Sequence, residues 1–81
     1  MRISFLRRPA VRARSGKPDS TLYEHIRQGL FTPSVNLGGN TAGWPEHEVD
    51  AINAARLAGK SDEEIRGLVA SLIAQRRSAA A

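Results

Sequence analysis

The chain contains no cysteine, which excludes disulfide staples and thiolate metal sites and leaves its redox compartment unmarked. Aromatic residues are scarce. Phe5, Tyr23, Phe31 and Trp44 are the whole set, and half or more of them are expected to anchor the core. No apolar run approaches the roughly 20 residues of a membrane-spanning helix. Met1-Arg2-Ile3-Ser4-Phe5-Leu6-Arg7-Arg8 is too short in its apolar part for a secretory signal. The expectation is a soluble, intracellular protein with no membrane partner. Groupings that would support catalysis are also missing. Gly38-Gly39 is too short to cradle phosphates, and no P-loop lysine follows it. His25 and His47 have no second ligand at metal-binding spacing. Glu46, Glu48 and Asp50 read as the acidic start of a helix rather than a general acid and base. No enzyme, catalytic residue, metal or cofactor is expected. The 81 residues suit one small domain with a thin core.

What is present is positive charge, unevenly spread. Residues 1–43 carry seven basic side chains, Arg2, Arg7, Arg8, Arg12, Arg14, Lys17 and Arg27, against Asp19 and Glu24. Residues 44–81 carry five basic side chains against six acidic ones. Lysine and arginine that meet phosphates release counterions and supply sequence-independent affinity for nucleic acid, so the first half is the half to search for a binding motif.

That half has the layout of a helix-turn-helix. Pro9 suits the first turn of a helix, Val11 faces inward, and Arg12 and Arg14 face outward. Gly16 is placed to end this helix in a left-handed conformation. Pro18 and Asp19 then open a second helix. Its apolar stripe is Leu22, Ile26 and Leu30 with Tyr23 beside it, and Gly29 closes it. The second helix of such a motif offers its N-terminal residues to base edges in the major groove. Ile3, Phe5 and Leu6 predict a short N-terminal strand, and Val35-Asn36-Leu37 and Thr41-Ala42-Gly43-Trp44 predict a hairpin around Gly38-Gly39-Asn40. Gly39 is expected to need a positive φ there. Pro45 starts a further helix that runs through Val49 and Ile52 to Gly59. Ser61-Asp62-Glu63-Glu64 is a capping box, and a last helix follows with Ile65, Leu68, Val69, Leu72 and Ile73 on one stripe. The expected fold is mainly α with a small β-hairpin: a winged helix-turn-helix with an additional C-terminal helix. Residues 1–59 form the DNA-binding domain, and residues 60–81 a helix packed on it or used for self-association.

The series Phe5-Leu6-Arg7, Val11-x-x-x-Ser15-Gly16, Ser20-Thr21-Leu22-Tyr23-x-x-Ile26-x-x-Gly29-x-Phe31-x-x-Ser34-Val35-x-Leu37-Gly38 and Trp44-x-x-x-Glu48-Val49 resembles the AlpA-like phage regulators and excisionases. These are small winged helix-turn-helix proteins related to the DNA-binding domain of MerR-type regulators. The resemblance spans about residues 3–55. It implies a bacterial, cytoplasmic protein of a prophage or mobile element, nucleoid-associated when bound to double-stranded DNA. It implies either a recombination directionality factor acting with a tyrosine recombinase or an activator of integrase transcription. It puts Ser20, Thr21 and Tyr23 on the DNA and the wing tip, Gly39 and Asn40, near the backbone or minor groove. The chain departs from the family in having Pro18 and Asp19 where a serine cap and a basic residue are common, and in having Glu24 on the DNA side. Arg12, Arg14, Lys17 and Arg27 are the expected phosphate contacts, and Glu24 joins the candidate DNA-contacting set. On the last helix, Leu68, Leu72 and Ile73 are candidates for contact with a second copy or a recombinase, with Leu72 taken as the outermost. A reading of another class makes that helix a protein-interaction module that needs no DNA.

Overall fold

The computed structural model describes residues 3–80, so Arg2, counted above in the basic half, lies outside the described residues. Strand β1 (Phe5–Leu6) leads into helix α1 (Arg8–Ser15), whose second residue is Pro9. The Ser15 hydroxyl donates back to the Val11 carbonyl at 2.7 Å, satisfying an acceptor in the last turn. Gly16 follows at φ +69°, and its N–H donates to the Arg12 carbonyl. A left-handed residue here turns the chain sharply at the cost only glycine escapes. Extended Pro18 then precedes α2 (Asp19–Arg27), with Asp19 at its positive end. Leu30 lies just beyond α2 but is buried, as its stripe requires.

Strands β2 (Val35–Gly38) and β3 (Thr41–Pro45) form the antiparallel wing, and β1 pairs with the other edge of β3 to give the order β1-β3-β2. Phe5 stands opposite Pro45, and Val35 opposite Gly43. The tip is irregular, with Gly38 paired to Thr41 across a bulge and Gly39 at φ +58°. Helix α3 (Glu46–Leu57) starts directly from β3. Its first N–H, that of Glu46, donates to the Ser4 carbonyl at 2.7 Å. Helix α4 (Asp62–Ala80) begins with the expected reciprocal cap. The Ser61 N–H donates to the Glu64 carboxylate at 3.0 Å, and the Glu64 N–H donates to the Ser61 hydroxyl at 3.2 Å.

One core joins all four helices and the wing: Val11, Leu22, Leu30, Phe31, Trp44, Val49, Ile52, Ile65, Val69 and Leu72. The architecture is the mainly helical winged helix-turn-helix with an added C-terminal helix that the sequence suggests. One placement differs from expectation. Leu72 is buried at 5% exposure, because the stripe of α4 that meets the core is centred on Ile65, Val69 and Leu72; Ile73 is the exposed member at 39%. Of the four aromatics, Phe31 and Trp44 anchor the core, the half that was expected. Phe5 lies on the outer face of the sheet, and Tyr23 is 48% exposed on α2.

Candidate nucleic-acid interface

Four segments meet around an open groove of about 380 Å³, lined by Arg7, Arg8, Pro9, Tyr23, Ser34, Asn40, Ala42 and Trp44. The start of α1 forms one wall, α2 contributes Tyr23, and the wing forms the other wall. Trp44 fixes the relation between these parts. Its indole N–H donates to the buried Thr32 carbonyl at 2.8 Å, which ties β3 to the segment joining α2 to the wing.

The charges at the mouth of the groove are arranged as a chain. The Asp19 carboxylate lies 3.2 Å from Arg12 Nε and 3.9 Å from Arg8 Nε. Hydrogen bonding with Tyr23 first, and attraction to Asp19 second, raise the Arg8 pKa above the usual arginine value. Tyr23, Arg8, Asp19 and Arg12 thus form a run of alternating polar groups along the start of the second helix. Such exposed pairs contribute little to stability, but they restrict where the long side chains point.

The candidate residues divide by position. Ser20, Tyr23 and Arg27 are exposed on α2, with Thr21 and Glu24 half-buried at their flank. Arg12 stands beside the start of α2, and Gly39 and Asn40 are exposed at the wing tip. Arg14 points the other way, to α3, where its guanidinium lies 2.8 Å from Glu46 and 3.7 Å from Asp50. Its carbonyl also accepts from Asn53 at 3.0 Å. Lys17 is half-buried, with its ammonium 5.4 Å from the centre of the Phe31 ring. Burial, and then repulsion from Arg56, lower its pKa. Arg14 and Lys17 are therefore engaged within the fold, whereas Arg7 and Arg8, which were not among the candidates, line the groove. The signal for them was the position of Arg7-Arg8 directly ahead of the proline that opens α1.

A second feature also lay outside the expected set. Glu48 is fully buried, and Arg76 of α4 grips both its oxygens at 2.6 and 2.8 Å. The same guanidinium donates to the Pro33 carbonyl at 2.8 Å, on the segment from which the wing departs. Arg66 makes a parallel link, donating to the Gln28 carbonyl at 2.9 Å behind the end of α2. Helix α4 thus holds both the second helix and the root of the wing from behind. Among the described residues, no grouping of histidine, aspartate and glutamate could hold a metal ion, and no helix is long and apolar enough to cross a membrane.

Comparison with known proteins gives one family and one near relative. The family model described as "Prophage CP4-57 regulatory protein (AlpA)" matches residues 4–57. "Uncharacterized protein ORF88" of Enterobacteria phage P4 is 48% identical over 56 residues, a match that covers 69% of this chain. The match spans 64% of that relative, a little under two thirds of its length. No solved structure matches the chain.

Proposed function

The chain belongs to the AlpA family of phage regulatory proteins, and on that premise we propose that it binds specific double-stranded DNA as a recombination directionality factor of a prophage or mobile element. In this role it loads on attachment-site DNA and bends it for a tyrosine recombinase. The observation that carries the reading is the shared groove. The exposed side of α2, the arginine-bearing start of α1 and the wing tip all open onto one side of the molecule. A helix seats in the major groove, and a wing beside it reaches the flanking backbone. Arg7, Arg8 and Arg12 are the phosphate contacts this arrangement favours, in a cytoplasmic protein that becomes nucleoid-associated when bound.

Activation of an integrase promoter is the second reading, and the family's description as regulatory favours it. It uses the same DNA face. A module that works through α4 alone has less support, since Ile65, Val69 and Leu72 are spent on the core. The candidate contact surface left to a second copy or a recombinase is Ile73 with the half-buried Leu68.

A salt titration of DNA binding tests the reading. Arg8→Ala and Arg12→Ala should each weaken binding to all sequences alike and reduce the salt slope by about one. Arg14→Ala should change neither. Wild-type protein that fails to bind duplex DNA at low salt would overturn the DNA reading. Footprinting near the gene then separates the two roles: protection within an attachment region supports excision, and protection at a promoter supports activation.

A further inference from the structure

A carboxylate is an unfavourable group to aim at a polyanion, yet Glu24 stands beside Arg27 and Ser20 on the exposed side of α2. Both its oxygens are already engaged. One accepts from the Arg27 guanidinium, and the other accepts from the Gln28 side-chain amide at 2.6 Å. These two contacts, Arg27 first, hold the Glu24 pKa below the usual carboxylate range. Stability is a poor reason for the cluster. Arg27 is 77% exposed, and solvent-screened pairs of this kind contribute little to folding.

What the contact changes is direction. A free arginine on a helix surface samples many rotamers. Tethered through one terminal nitrogen to a residue one turn back, its planar fork is confined near the outer face of α2, and its remaining N–H donors stay unspent. Two of those donors match the O6 and N7 acceptors that guanine presents in the major groove. The carboxylate also neutralises part of the charge that would otherwise pull Arg27 sideways to a phosphate.

We propose that Glu24 is a positioning residue for Arg27, and that the pair reads a guanine in the target DNA. The inference rests on the DNA-binding reading above. It differs from direct reading by Glu24, in which the carboxylate would accept from a cytosine amine and set the preference at its own position.

Selection from a randomised duplex library tests it, with wild type, Arg27→Ala, Glu24→Ala, Glu24→Gln and the double alanine variant. Thermal melting of each variant should stay close to wild type, since a solvent-screened pair of this kind contributes little to folding. Wild type should enrich a guanine that Arg27→Ala loses by about tenfold or more. Glu24→Ala should weaken the preference at that same position several-fold, and the double variant should be no worse than Arg27→Ala. Glu24→Gln, which can still accept a hydrogen bond from Arg27, should fall between wild type and Glu24→Ala. An unchanged guanine preference in Glu24→Ala would overturn the proposal. So would loss of a cytosine preference elsewhere while the guanine survives. Wild type that binds no duplex would overturn the DNA reading and the proposal with it, an outcome distinct from a wild type that binds while Glu24→Ala reads normally.

Discussion

His25 shows how one side chain on α2 couples the fold to pH. Its backbone carbonyl accepts from the Leu30 N–H, which turns the chain out of α2. Lys17 and Arg56 disfavour its charged form and Asp62 and Glu24 favour it, and Nδ1 has no hydrogen-bond partner among the described residues. Burial first, then the two cations, lower its pKa. The folded chain therefore binds this proton more weakly than the unfolded chain, so falling pH favours unfolding. The loss begins as pH drops through the ordinary histidine range, near about 6.5, and ends once the lowered folded value is passed. Glu24 and Glu64 also have lowered values, which add stability that is lost only further down, in the carboxylate range. Thermal melting across pH 5 to 8 (roughly the histidine window) should show the first decline, and His25→Gln should flatten it while leaving the acid limb in place. Much at this scale was legible beforehand: the left-handed glycines, the Ser61–Glu64 cap and the inward Val11 all follow from local chemistry. The engagement of Arg14 and Lys17 was not, since the outward face of a short helix looks the same in sequence whether it meets water or a later helix.

Among the elements, α4 and the wing depend on each other through the contact of Arg76 with Glu48 and Pro33. Removing one partner of a buried ion pair leaves an uncompensated charge and costs about 3–5 kcal/mol, whereas replacing both by apolar groups is often neutral or better. Arg76→Ala should therefore lower the melting temperature by roughly 10 °C or more in a domain of this size. The Glu48→Met, Arg76→Met double variant should recover most of that loss. Equal melting of wild type and Arg76→Ala would show that the pair carries no such weight. The pairing left a trace in the sequence. Arg76 continues the spacing of Ile65, Val69 and Leu72, and Glu48 shares a stripe with Val49 and Ile52. A charge within an apolar stripe on each of two helices calls for a partner, but which partner depends on packing 28 positions apart. Leu72 was misplaced for a related reason, because five apolar residues on α4 do not say which of them faces the centre. At the wing, Gly39 has open space around a hypothetical Cβ, so its constraint is its φ alone. Gly39→Val should weaken DNA binding and lower the melting temperature by only a few degrees, and Gly39→Asn, which tolerates the left-handed region, should restore both. Equal DNA binding by Gly39→Val would remove the wing tip from the proposed interface.

For the whole molecule, charge and packing run in different directions. Positive side chains gather on the groove side, while the acidic start of α3 and the first turn of α4 lie in the other half of the chain. Binding to DNA through this face should weaken steeply with added salt, and a variant lacking Arg7, Arg8 and Arg12 should lose most of the salt dependence. Unchanged dependence in that variant would move the interface elsewhere. The core ignores this division and runs from Val11 to Leu72. That continuity bears on how such a protein can be cut and recombined. The stretch shared with the family ends at residue 57, yet it contains Glu48, whose guanidinium partner lies at position 76. A graft of residues 4–57 alone would carry a buried acid with nothing to neutralise it, and would lack Ile65, Val69 and Leu72, which complete the core. The unit that folds as one is longer than the shared segment: a graft of this region needs the trailing helix with it, or a neutral residue in place of Glu48.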